Sequence, residues 1–210
     1  MIENATNQIE KREFSQVNLP KLKEAIRSSR EWLGVLKQAS DSNNKDAVRI
    51  TEIFARMSGS AKPKLETMTS DEVKQFLERL VAVGSKSAGK ETSVSCQMNS
   101  ACLLEKDYIG LVVENFVSNA LKYGGKKIDI LAEEKENKFI FSVTDNGEKG
   151  ISKETLAAIF QTKETNTKMG SNGVGLPVSD IIAKLVLGGS IRAVSEPGST
   201  TFALEIPLGK

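Results

Sequence analysis

Asp107-Tyr108-Ile109-Gly110-Leu111-Val112-Val113-Glu114-Asn115-Phe116-Val117-Ser118-Asn119-Ala120-Leu121-Lys122-Tyr123-Gly124 is the stretch on which the fold turns. Ile109, Val112, Val113, Phe116, Val117, Ala120 and Leu121 recur at helical spacing and form one broad apolar stripe. The stripe predicts a helix over 107–123 packed on a sheet. Asn115, Asn119 and Lys122 stand at i, i+4 and i+7, so they form a polar line beside the stripe that can face a cleft. An amide oxygen is a hard, neutral ligand suited to a cation that keeps waters and phosphates around it. A solvated helix face is the plainer reading of the same line, since asparagine is common on surfaces and a poor interior helix residue. The flanking segments decide between the two.

Downstream, 127–132 and 139–144 read as strands, and the second ends in Asp145-Asn146-Gly147. A carboxylate at a strand end can sit at a pocket rim and accept a hydrogen bond from an exocyclic amine. Gly147 and Gly150 would let the backbone approach a flat base. Gly170, Gly173 and Gly175 precede a helix spanning about 178–187, whose free amides and positive end can receive phosphate oxygens. Taken singly, Asp-Asn-Gly is a tight turn and a glycine-rich loop is commonplace. In this order the three segments supply what a magnesium-bound nucleotide needs, and the chain reads as an ATP-binding domain.

Ser70 is a good cap for a helix with apolar face Val73, Phe76, Leu77 and Leu80, closing at Gly84, and a strand follows at 93–98. A short helix from Ser152 carries Leu156 and Ile159. Strands 190–195 and 200–206 meet at Glu196-Pro197-Gly198-Ser199, a turn by composition. Because that last pair is a hairpin without a crossover helix, the order predicts an α+β sheet with helices on one face rather than a doubly wound fold.

Residues 1–62 differ in character. Leu22, Ile26, Leu33 and Leu36, then Ala47, Ile50, Phe54 and Met57, mark two amphipathic helices joined by the polar connector 39–44. This predicts a helical hairpin over 1–62 and a second domain over 63–210. Each stripe is narrow, so pairing with a second copy through residues 15–60 into a four-helix bundle is expected, the alternative being packing on the chain's own second domain.

Composition sets the bounds. The 210 residues carry a net charge of +2 and 39% hydrophobic residues without a long apolar run, which argues against a nucleic-acid partner and a membrane span. The polar N-terminus lacks the features of a targeting signal, so a cytoplasmic location is expected. Cys96 and Cys102 read as reduced packing residues. Histidine is absent, which excludes an imidazole base, a His-based zinc site and a phosphohistidine on these residues.

Asn115-x-x-x-Asn119-Ala120-x-Lys122-Tyr123, Asp145-x-Gly147, Gly173-x-Gly175-Leu176 and Gly198-Ser199-Thr200-Thr201-Phe202 together resemble the GHKL ATPases, and among them the catalytic domain of sensor histidine kinases. The resemblance covers about 64–210 and implies a Bergerat-type α/β sandwich with a mixed sheet. It implies ATP and Mg²⁺ as cofactors, with Asn119 as the metal ligand and Asn115 and Lys122 at the phosphates, these three being the catalytic set. Asp145 would read the adenine amine with Thr201 supporting it through a hydroxyl or water, and Gly147, Gly150 and Ile151 would lie on the adenine side. Gly173, Val174, Gly175 and Leu176 would frame the phosphates from a lid over about 161–176. Tyr123 would line the nucleotide, a core tyrosine being the alternative.

The chain departs from that family in two places. Glu148 and Lys149 both separate Gly147 from Gly150, one residue more than the usual Asp-x-Gly-x-Gly. In Ser29-Arg30-Glu31-Trp32-Leu33, Arg30 stands where the family carries its acceptor histidine, and a guanidinium is no phosphoacceptor. Three readings follow: a histidine-kinase-like ATP-binding protein acting in trans on a response regulator or kinase; a pseudokinase scaffold binding such a partner without phosphoryl transfer; and an anti-sigma-type serine kinase, which normally lacks a preceding hairpin. Gyrase, chaperone and mismatch-repair relatives carry a glutamate base where Asn115 stands.

Overall fold

The structure, a computed structural model, describes residues 64–160 and 175–208. The helical hairpin and dimer surface expected within 1–62, and most of the expected lid, lie outside these residues. Strand β1 (Glu66–Met68) leads into helix α1 (Ser70–Ala88). Thr69, rather than Ser70, is the cap: its side chain accepts from Glu72 N at 3.4 Å, while its own N–H donates to Glu72 Oε2 at 2.8 Å. This reciprocal pair satisfies two otherwise unpartnered amides. The Ser70 hydroxyl instead lies 3.5 Å from the Cys96 carbonyl. The helix passes through Gly84 and ends at Gly89, which takes the left-handed conformation at φ 60°. An interior glycine costs about 1 kcal/mol without ending a helix, whereas a left-handed glycine ends one.

Strand β2 (Glu91–Gln97) and the three-residue β3 (Cys102–Leu104) follow, the latter pairing antiparallel with β1. Such short strands leave no periodicity in the sequence, which is why β1 and β3 are not predicted. Helix α2 (Lys106–Tyr123) is the expected helix with one more residue at its start. Strands β4 (Lys127–Lys135) and β5 (Lys138–Asp145) run longer than predicted, up to a two-residue turn. Glu136 and Asn137 occupy that turn with φ 51° and 61°, the backbone that matches the twist of a hairpin.

Helix α3 (Lys153–Ala158) is capped by Ser152 as predicted, Ser152 Oγ accepting from Thr155 N at 3.2 Å. Helix α4 (Gly175–Leu185) starts earlier than predicted, since Pro177 is tolerated in a first turn where its missing N–H is not needed. Strands β6 (Ser190–Glu196) and β7 (Ser199–Pro207) form the predicted hairpin around Gly198, whose φ is 87°.

The five-stranded sheet has order β2-β4-β5-β7-β6, with β2 parallel to β4 and the other pairs antiparallel. It is therefore mixed. Strict alternation along β5 buries Phe139, Phe141, Val143 and Asp145 on one face. Phe202 and Leu204 of β7 share that face through their pairing with Val143 and Phe141. Phe116 of α2 stacks on Phe202 with centroids 5.6 Å apart, and Val112, Val113 and Ile182 pack into the same core. Truncating a buried phenylalanine of this kind costs about 3–5 kcal/mol. Among the described residues, no helix is long and apolar enough to cross a membrane.

Candidate functional site

The last turn of α2 and the end of β5 meet. Gly124 closes α2, its N–H donating to Ala120 O at 2.9 Å. Lys90 Nζ donates to Ala120 O and to Gly124 O, both at 2.8 Å, placing a cation on the negative end of the helix. No local signal marks Lys90, because its partners lie 30 and 34 positions away.

Asp145 projects from the last position of β5 onto the helix side of the sheet and is 7% exposed. Its Oδ1 accepts from Gly147 N at 2.8 Å and Gly125 N at 3.3 Å. Both bonds fall on one oxygen, so the carboxylate is oriented by backbone, and Oδ2 keeps its acceptor capacity. Asn146 Oδ1 accepts from Lys127 N at 2.8 Å, tying the same turn to the start of β4. Gly124, Gly125 and Asn146 therefore belong to the seat of Asp145, although the sequence marks only Asp145 and Gly147.

Gly150 packs against the turn between β6 and β7. At φ 63°, a Cβ there would lie 2.9 Å from the Glu196 carbonyl carbon, so its bareness lets the loop rest on the β6–β7 turn. Gly198 N donates to Gly147 O at 2.9 Å, and Ile151 N donates to Ser195 Oγ at 2.8 Å. The one-residue-longer loop is thus pinned at both ends.

Thr201 lies on the other face of the sheet from Asp145. It pairs with Thr144, and their hydroxyls lie 2.9 Å apart on the sheet face opposite Asp145. Thr200 is the residue opposite Asp145, and it is buried with its hydroxyl 2.7 Å from Ser195 Oγ. Successive strand residues point to opposite faces, so a register of one residue decides the matter.

On α2, Asn115 and Asn119 are partly buried, whereas Lys122 and Tyr123 are exposed. Tyr123, 52% exposed, is not a core residue. Asn115 Nδ2 donates to Ser179 Oγ at 2.8 Å and to Gly175 O at 3.3 Å, which joins α2 to the first turns of α4. No hydrogen bond among the described residues commits the Asn119 amide, and Leu176 is partly buried against the core. Gly173 and Val174 lie outside the described residues. No three His, Cys, Asp or Glu side chains converge on a metal-sized site among the described residues.

Residues 105–210, half of the chain, match the family described as histidine kinase-, DNA gyrase B-, and HSP90-like ATPases. The phytochrome-like protein Cph1 of Synechocystis is 30% identical over 153 residues, covering 68% of this chain and 20% of that protein. The signal transduction histidine-protein kinase AfsQ2 of Streptomyces coelicolor is 29% identical over 108 residues, 50% of this chain and 20% of its own length. This chain thus spans about a fifth of either relative. The catalytic domain of histidine kinase ThkA superposes with a TM-score of 0.58 at 23% identity, over 69% of this chain and 96% of that domain, a likeness of fold. With the mixed sheet and the α2 and β5 features in their expected order, the chain belongs to the histidine kinase-, DNA gyrase B- and HSP90-like ATPases.

Proposed function

We propose that the chain binds ATP with Mg²⁺ between α2, the end of β5 and the start of α4, and serves two-component signalling by acting on a partner in trans. The observation that carries this reading is the Asp145 carboxylate, buried and held through Oδ1 by two backbone N–H groups. Its Oδ2 then accepts from the adenine amine at no cost of reorganisation. Asn119 supplies the metal oxygen, Asn115 and Lys122 attend the phosphates, and Gly175 and Leu176 open the helix that faces them. The bound ion supplies charge stabilisation for phosphoryl transfer.

The partner is a response regulator or another kinase, because the 210 residues contain no histidine and Arg30 occupies the acceptor position. Residues 15–60 provide the homodimer contact. That same missing histidine favours a second reading, a scaffold that binds nucleotide and partner without transfer.

Titration calorimetry on the wild type and on Asp145→Asn, each with and without Mg²⁺, tests the pocket. The variant keeps Oδ1 for the two backbone donors but presents an amide N–H₂ to the base amine, donor against donor. ATP affinity should fall on the order of 10- to 100-fold, as for other charge-assisted hydrogen bonds. Equal binding by both proteins, or none by either, would remove the assignment.

A further inference from the structure

Ser179 lies on α4 with no solvent exposure, and the mechanism outlined above does not use it. Its hydroxyl is 2.8 Å from Asn115 Nδ2. A hydroxyl both donates and accepts, so by itself it would tolerate either orientation of an amide. The second partner removes that freedom: Gly175 O, at 3.3 Å from the same nitrogen, is a carbonyl and only accepts. The pair therefore commits the Asn115 N–H₂ group to α4 and leaves Oδ1 as the face offered elsewhere. Gly175 keeps that oxygen uncovered, since a Cβ at 175 would stand 3.2 Å from it.

We infer that Ser179 is a positioning residue for magnesium-dependent nucleotide binding, holding the Asn115 amide with its oxygen toward the phosphate-bound Mg²⁺; this rests on the nucleotide reading above. A flipped amide would present two N–H donors to a cation, so orientation decides whether Asn115 helps or opposes the metal. A buried hydroxyl without a partner is costly, and Asn115 supplies that partner, so the two residues set each other. The simpler role, a bond that only fastens α2 to α4, predicts a loss of stability without a magnesium signature.

The test is ATP affinity of the full chain in excess Mg²⁺ and in a chelator, for wild type, Ser179→Ala, Asn115→Ala and the double variant, with thermal melts as a folding control. Ser179→Ala should lose on the order of tenfold of the affinity gained with Mg²⁺ and change little in the chelator. In the Asn115→Ala background the same substitution should have no further effect. Ser179→Cys fills the site with a slightly larger and weaker hydrogen-bonding group and should show the same loss, which covers the case of an unstable alanine variant. The inference is overturned if the loss is equal with and without Mg²⁺, if it persists without Asn115, or if Ser179→Ala and Ser179→Cys both bind like the wild type. A wild type that binds no ATP at all would remove the nucleotide reading itself, and this inference with it.

Discussion

A Cβ placed on Gly124 would lie 2.5 Å from Cγ of Asp145, so the end of α2 and the buried carboxylate are packed at a distance that only glycine permits. The backbone at Gly124 is extended, with φ −76° and ψ 175°, and any residue could adopt it. Glycine is required there for space. Gly124→Ala should therefore cost about 1–3 kcal/mol by overpacking and tilt Asp145 off its two amides. Thermal unfolding together with ATP titration checks this, and a destabilised variant with unchanged ATP affinity would separate the pair from the nucleotide site.

Thr69→Ala should lower stability by about 1 kcal/mol, since it removes one half of the capping box at α1. Ser70→Ala should cost clearly less, because the Ser70 hydroxyl makes only the 3.5 Å contact to Cys96 O. Denaturant midpoints of the two variants decide between Thr69 and Ser70, and a larger loss at Ser70 would contradict the observed cap.

Glu205, on the sheet face opposite Asp145 with a side chain 13% exposed, bonds Lys138 Nζ at 2.8 Å, and Arg192 Nε lies 3.5 Å from its other oxygen. The Lys138 bond holds its carboxyl below the ordinary glutamate range. A depressed folded value means that the stabilisation is present above the unfolded value and is lost as pH falls through the folded one. Lys138→Met should cost at most about 1 kcal/mol at neutral pH. The gap in melting temperature from the wild type should close on acidification, and a gap that widens toward low pH would contradict the sign.

Incubation with γ-labelled ATP should leave no acid-labile, base-stable phosphate on the wild-type chain, which has no imidazole. Arg30→His restores an acceptor at the family's position. Labelling of that variant, abolished by Asn119→Ala, is the expected outcome for a competent kinase core. Absence of label despite measured ATP binding would favour the scaffold reading.

Much of this architecture is legible from short-range patterns. The α2 stripe, the alternation in β4 and β5, the β6–β7 turn and the Ser152 cap all depend on residues within a few positions of one another, so periodicity and turn chemistry reveal them. The polar line Asn115, Asn119, Lys122 and the strand-end Asp145 were readable for the same reason. Tertiary structure decided the rest. Whether Thr200 or Thr201 faces Asp145 depends on the register of β5 against β7, and one residue of slip reverses every side chain. The partners of Asn115 lie 60 and 64 positions away, and those of Lys90 lie 30 and 34 away. Gly124 and Gly150 are glycines because of what packs on them, Asp145 in one case and Glu196 in the other. Periodicity records which face of an element is buried; which atoms meet across that face is set only when the elements pack.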